Sequence, residues 1–217
     1  MEKPINKIKA DLREVYDELA IDWGVKLALS DWGVKELKEF ASMVKKANGS
    51  KVLDLGCGSG FQSKQLSDEG LEVVGFDLSP RMVKEAKKRV PGAKFLVGDM
   101  TILDKRIYPE LAEGFDGIYA RASILHISKK LVPEVLRSIH KILQKKGILY
   151  LALKEGEGED EIEETKLGRK IRRFFSFFKK KEIESLLKNA GFKIAKFNSS
   201  QKDSQSTVWL HVFARKL

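Results

Sequence analysis

Three glycines at alternate positions, Gly56, Gly58 and Gly60, follow a short apolar run at residues 52–55. Without Cβ atoms such a turn can bend tightly and let a ligand press against the backbone. Asp54 stands just ahead of it and Cys57 within it. Asp77 ends the next apolar run, Val73-Val74-Gly75-Phe76, about 20 residues past the first glycine, where a carboxylate can accept hydrogen bonds from both hydroxyls of a ribose. Farther on, His126 follows a fourth apolar run and has a side chain able to carry a proton near neutral pH. Nucleoside binding at one place and proton transfer at another are the chemistries these residue types offer.

Such groups need strand tips to hold them. Residues 52–55, 72–77, 94–97, 115–120 and 148–153 read as strands, with amphipathic stretches between them that read as helices. Phe61-Gln62-Ser63-Lys64-Gln65-Leu66 begins a helix directly after the glycines. Ser79 suits an N-cap and Pro80 the first helical position, and Met82, Val83, Ala86 and Val90 then form an inner face. Ser128 and Pro133 introduce another helix, with Leu136, Ile139, Ile142 and Leu143 facing inward. Residues 192–197 and 207–214 read as a hairpin whose last strand is apolar on both faces, which implies a covered central position. Near the N-terminus, Ile5, Ile8, Leu12, Val15, Tyr16 and Leu19 mark one helix. A second starts at Ser30-Asp31, buries Val34, Leu37, Phe40, Ala41 and Val44, and stops before Asn48-Gly49; Trp23-Gly24-Val25 links the two. The expected fold class is α/β: a Rossmann-like, doubly wound, seven-stranded mixed sheet, its last strand antiparallel, with helices on both faces. One domain is expected, with 1–48 as helices capping the ligand site and 49–217 as the core.

A dinucleotide-binding turn calls for G-x-G-x-x-G, and Phe61 stands where its third glycine belongs. The pattern Asp54-x-Gly56-x-Gly58-x-Gly60 instead resembles the first motif of the class I S-adenosylmethionine-dependent methyltransferases. Asp77 matches their ribose-binding acid and Gly98-Asp99-Met100 the loop that holds their adenine. Ala120-Arg121-Ala122-Ser123-Ile124-Leu125-His126 matches their fourth motif, and Tyr16-Asp17-Glu18-Leu19-Ala20 is similar to the opening of their covering helices. The resemblance implies S-adenosyl-L-methionine as cofactor and in-line transfer of its methyl group to an acceptor near the tips of the fourth and fifth strands. Residue by residue, it puts Tyr16, Asp54, Gly56, Cys57, Gly58, Gly60, Asp77, Leu78, Met82, Asp99, Met100, Ala120 and Arg121 on the cofactor. Asp99 would accept from the adenine amine, with Met100 against the ring. Arg121, His126, Arg172 and Arg173 stand on the acceptor side, and residues 154–181 match the family's variable acceptor cover.

Several of these residues have a second reading. Tyr16 suits a buried helix face as well as the methionine end of the cofactor. His126 is a base for a hydroxyl acceptor, or a brace for its own loop. Arg121, charged at the end of a buried strand, holds an anionic group of the acceptor or pairs with Asp99 or Asp116. Cys57 is a small packing residue in the turn rather than a nucleophile.

Composition narrows the partners. Lys and Arg number 41 against 31 Asp and Glu, a net charge of +10, which suits an anionic acceptor or RNA. The same numbers, with 33% charged residues and few Asn or Gln, also describe a heat-adapted surface. An acidic run at 155–164 meets a basic run at 166–181 that contains Phe174, Phe175, Phe177 and Phe178. Basic residues among rings suit RNA; the plainer reading is a lid whose rings pack on the core and whose bases pair with the acids. A small-molecule acceptor therefore leads, with RNA as the alternative. A non-catalytic adenosylmethionine-binding protein and an NAD-dependent oxidoreductase are further readings, the last disfavoured by Phe61. No run is long and apolar enough to span a membrane, no signal-peptide apolar region opens the chain, and Cys57 is the only cysteine. A cytoplasmic monomer or homodimer is expected. No Cys/His cluster has metal-ligand spacing, so no metal is expected.

Overall fold

The structure is a computed structural model that describes residues 4–28, 33–201 and 207–217. Helices α1 (Ile5–Ala28) and α2 (Val34–Lys46) precede β1 (Lys51–Leu55), α3 (Phe61–Asp68), β2 (Glu72–Asp77), α4 (Pro80–Arg89) and β3 (Lys94–Val97). Next come β4 (Phe115–Arg121), α5 (Val132–Ile142), β5 (Leu143–Lys154), β6 (Glu159–Lys166) and β7 (Arg169–Ser176). The chain ends with α6 (Lys180–Asn189), β8 (Phe192–Gln201) and β9 (Val208–Lys216).

Seven strands form one sheet in the order β3-β2-β1-β4-β5-β9-β8. The first five pair in parallel, and β9 runs antiparallel to both its neighbours. This is the expected mixed sheet. Alternation along each strand sorts its side chains: Leu53 and Leu55 pack with the residues of α5 and α6, whereas Val52 packs with those of α2 and α3. With helices on both faces, each central strand reads as a continuous apolar run. The strand order reverses between β1 and β4, and at such a switch point an open α/β sheet leaves a crevice at its C-terminal edge.

Several boundaries and placements differ from expectation. The backbone of α1 stays helical through Ala28, so Trp23-Gly24-Val25 is no linker; Ser30-Asp31, the expected start of α2, lies outside the described residues. β5 begins at Leu143, not at 148: Phe115 pairs with Leu143 and Gly117 with Ile148, and the residues between bulge out. Finally, the apolar stripe of α2 faces the sheet rather than the ligand site. Its Leu37, Phe40, Ala41 and Val44 pack beneath the sheet on Tyr119 and Tyr150, because its apolar stripe needs that face.

The cover is α1 together with a hairpin. β6 and β7 pair antiparallel around Leu167 and Gly168, both with positive φ (53° and 76°), the conformation that suits a two-residue hairpin turn. Phe174 packs with Ile8 and Leu12, and Ile171 with Leu19, Ala20 and Met82, so β7 is fastened to α1 by apolar contacts. Midway along α1, Asp17 accepts from the Ser79 hydroxyl and from the Arg81 N–H (3.0 Å), which ties α1 to the start of α4. No helix among the described residues is long and apolar enough to cross a membrane.

Candidate active site

A cavity of about 660 Å³ opens at the tips of β1, β2, β4 and β5, beneath α1 and β7. Its two ends differ in chemistry.

At one end lies the glycine turn. Gly56, Gly58 and Gly60 all have positive φ (84°, 52° and 77°), but space decides what each is for. A Cβ on Gly56 would sit 2.3 Å from the Ser123 Cβ, and one on Gly60 would sit 2.8 Å from the Ala86 backbone. Those two glycines let the chain pack. A Cβ on Gly58 would meet nothing nearer than the Met82 sulfur at 3.9 Å, so its backbone faces open cavity. Asp77 stands beside it. Its Oδ2 accepts from the Gly58 N–H at 2.8 Å and its Oδ1 from the Ser79 N–H at 2.9 Å, and burial pushes the carboxyl pKa upward against these bonds. Cys57, Leu78, Met82, Asp99 and Met100 complete this wall. Cys57 is buried and desolvation drives its thiol well above the usual range, so it is inert packing.

At the other end, His126 sits between two partners. Its Nδ1 is 2.7 Å from the Phe174 carbonyl oxygen, which can only accept, so Nδ1 carries the proton. Nε2 therefore accepts, and Tyr16 donates its hydroxyl to it at 2.7 Å. Arg173 donates in turn to the Tyr16 oxygen at 2.7 Å and through Nε to Glu164 at 2.9 Å. Burial and the nearby Arg173 charge push the His126 pKa down to about 3, so the ring is neutral. Burial also raises Tyr16, against the pull of Arg173. Lys154, at the tip of β5, lies 3.7 Å over the Phe175 ring, and burial with the Arg173 charge lowers it to about 8. Burial alone would raise Glu164, but the hydrogen bond and charge of Arg173 hold it below the usual carboxylate range.

Most expected site residues line this one cavity: Tyr16, Gly56, Cys57, Gly58, Asp77, Leu78, Met82, Asp99, Met100, Arg121, His126 and Arg173. Four do not. Asp54 lies on the opposite side of β1, where its Oδ2 accepts from the Ser63 hydroxyl of α3 at 2.6 Å, and burial raises its pKa to about 7. Gly60 is filled by α4, Ala120 is buried within the sheet, and Arg172 points outward toward Glu163 at 3.9 Å. Neither ion pair considered for Arg121 forms. Asp99 pairs with Lys9, Asp116 accepts the N–H groups of Ser50 and Lys51, and Arg121 donates to the Tyr150 hydroxyl at 3.4 Å with its guanidinium over Gly33. Phe174, Phe175 and Phe178 are buried, so the basic-aromatic run presents none of these rings to a nucleic acid base. Sequence reasoning missed Lys9, Lys154, Glu164 and Lys166, all of which line the cavity. Lys154 had a signal, since it ends a central strand; the other three look like surface charges.

Residues 52–147 match the family model described as a methyltransferase domain. The chain is 33% identical over 175 residues to phosphoethanolamine N-methyltransferase 1 of Zea mays, covering 76% of this chain and 32% of that protein. It is 38% identical over 124 residues to phosphoethanolamine N-methyltransferase 3 of Arabidopsis thaliana, covering 55% and 24%. The chain thus spans less than a third of these plant relatives. Among solved structures, it resembles the 1,6-didemethyltoxoflavin-N1-methyltransferase of Burkholderia thailandensis with bound 1,6-didemethyltoxoflavin and S-adenosylhomocysteine. The TM-score is 0.73 at 20% identity, covering 100% of this chain and 92% of that one. The magnesium protoporphyrin IX methyltransferase of Synechocystis with bound S-adenosylmethionine follows at 0.70 and 16%, covering 96% and 97%. On this likeness of sequence and fold together, the chain belongs to the class I S-adenosylmethionine-dependent methyltransferases, a family whose methyl donor is S-adenosylmethionine.

Proposed function

We propose that the chain transfers a methyl group from S-adenosylmethionine to the nitrogen of a small phosphorylated amine. The observation that carries this reading is the company His126 keeps. A neutral imidazole with an engaged lone pair shares one end of the cavity with Lys154, Lys166 and Arg173. Lys154 forms no ion pair among the described residues, so an anionic group of the acceptor can take that place. The relatives named phosphoethanolamine N-methyltransferases agree with such an acceptor.

The donor end suits an adenosyl group: bare backbone at Gly58, the Asp77 carboxylate beside it, and the acid Asp99 farther along the wall. Bound S-adenosylmethionine supplies a methyl on a positively charged sulfur, so the acceptor needs an aligned, free lone pair and little other activation. An amine holds an extra proton near neutral pH and has to shed it. Tyr16 and His126 give that proton a route. As the Tyr16 oxygen takes a proton from the amine, its own proton passes to His126 Nε2, while Nδ1–H stays on the Phe174 carbonyl. Burial is the main reason His126 stays neutral; an anion seated by Lys154 and Arg173 offsets the Arg173 charge that adds to it and so raises the affinity of the ring for the proton.

Labelled S-adenosylmethionine offered with phosphoethanolamine, ethanolamine or bulk tRNA tests the reading. Label should appear in phosphoethanolamine and in neither of the others. Equal labelling of ethanolamine, or labelling of tRNA alone, rejects it.

A further inference from the structure

We infer that Lys9, on the covering helix, reads the adenine edge together with Asp99, so that selection of the base is divided between cover and core. This rests on the family's cofactor occupying the cavity described above.

The two oxygens of Asp99 have separate work. Oδ1 accepts from the Thr101 N–H and from the Thr101 hydroxyl, both at 2.8 Å, and so serves its own turn. Oδ2 faces Lys9, whose Nζ is 2.6 Å away and also donates to the Thr101 hydroxyl oxygen at 2.7 Å. An ammonium has three N–H donors, so one remains after these two contacts. Lys9 and Asp99 both line the cavity, and neither is sealed off: their side chains are 25% and 22% exposed. Asp99 is held below the usual carboxylate range, since the bonds from Lys9 and Thr101 outweigh its burial; it stays ionised and can only accept.

An obligate acceptor and an obligate donor therefore stand side by side at the wall. Adenine presents the complement, an amino donor next to a ring-nitrogen acceptor. Hypoxanthine presents the reverse, a carbonyl acceptor next to a ring N–H donor, and would place like against like at both positions. A pair that hydrogen-bonds one base edge rejects its inverse strongly, because buried polar groups are left unmatched.

Calorimetry with S-adenosylhomocysteine and S-inosylhomocysteine tests this on the purified chain, with Lys9→Met and Lys9→Arg variants. The unaltered protein should favour the adenosyl ligand by roughly a hundredfold. Lys9→Met should cut that preference about tenfold, mostly through weaker adenosyl binding, and Lys9→Arg should keep most of it. Equal weakening of both ligands would make Lys9 a mere clasp for α1, and tighter adenosyl binding would make it a plug; either result overturns the inference. If the unaltered protein binds the adenosyl ligand with no preference over the inosyl one, base reading by the Lys9–Asp99 pair falls while the cofactor reading stands. If it binds neither, the cofactor reading fails and the inference goes with it.

Discussion

The Tyr16 hydroxyl donates a hydrogen bond to His126 Nε2 at 2.7 Å, although 110 positions separate the two residues. One rides on α1 and the other on the turn after β4, and their rings meet edge-on with centroids 5.6 Å apart. Arg173, from the hairpin, donates to the same hydroxyl and is itself held by Glu164. The contact draws on three elements, α1, the turn after β4 and the β6–β7 hairpin, so the residues that would move a proton meet only where the cover packs on the sheet.

His126→Ala should lower kcat by roughly a hundredfold or more and leave the affinity for S-adenosylhomocysteine close to that of the parent. Turnover assays and calorimetry on the same preparations check both halves. Full activity in the variant would remove His126 from the reaction.

The buried imidazole should also leave a mark on stability. Its folded pKa is about 3, well below the ordinary 6.5. Between those values the unfolded chain takes up a proton that the folded chain refuses, so the His126 contribution is complete above pH 6.5 and is lost as pH falls, by about 1.4 kcal/mol per unit. Asp54, raised to about 7, acts in the opposite sense over the same range, because its folded form holds the proton more tightly. A comparison with His126→Asn isolates the first effect. The lead in Tm of the parent over the variant should shrink from pH 6.5 downward, and parallel curves would contradict it.

The glycine turn separates packing from binding. Gly60→Ala drives a methyl to 2.8 Å from the Ala86 backbone and should lower Tm by several degrees. Gly58→Ala meets only open space and should cost about 1 kcal/mol through its positive φ, yet reduce cofactor affinity tenfold or more. Asp77→Ala should weaken the cofactor similarly, since it strands ribose hydroxyls and the Gly58 N–H. Cofactor binding unchanged in both Gly58→Ala and Asp77→Ala would move the donor site elsewhere.

Lys154→Met keeps the stem that covers the Phe175 ring and deletes the charge. KM for the phosphorylated acceptor should rise tenfold or more with little change in S-adenosylhomocysteine affinity. In the parent, the acceptor should bind less well as pH climbs past about 8, where this lysine loses its proton. A pH profile shared by parent and variant would show that Lys154 does not meet the anion.

The glycine-turn end of the cavity was legible in the sequence because strand tips follow from a period of two and short turns. Gly58, Asp77, Asp99 and Met100 all arrive where their positions in the chain imply. Asp54 misleads for the same reason, since one residue back along β1 the side chain points to the other face and meets Ser63. The His126 end was not legible. Glu164 and Arg173 read as two entries in a mixed run of charges, and only the hairpin register, with Glu164 opposite Ile171, brings them diagonally together. Lys9 resembles any solvent-facing helix lysine until α1 is laid across the sheet.

Lys9 and Tyr16 stand seven residues apart on α1, two turns or about 10 Å along one stiff rod. On the proposed function, lifting that rod far enough to exchange the spent cofactor would also unfasten a product held at Tyr16. An amine that must gain several methyls is then expected to depart after each one and return, giving distributive rather than processive alkylation and a build-up of partly substituted species early in the time course.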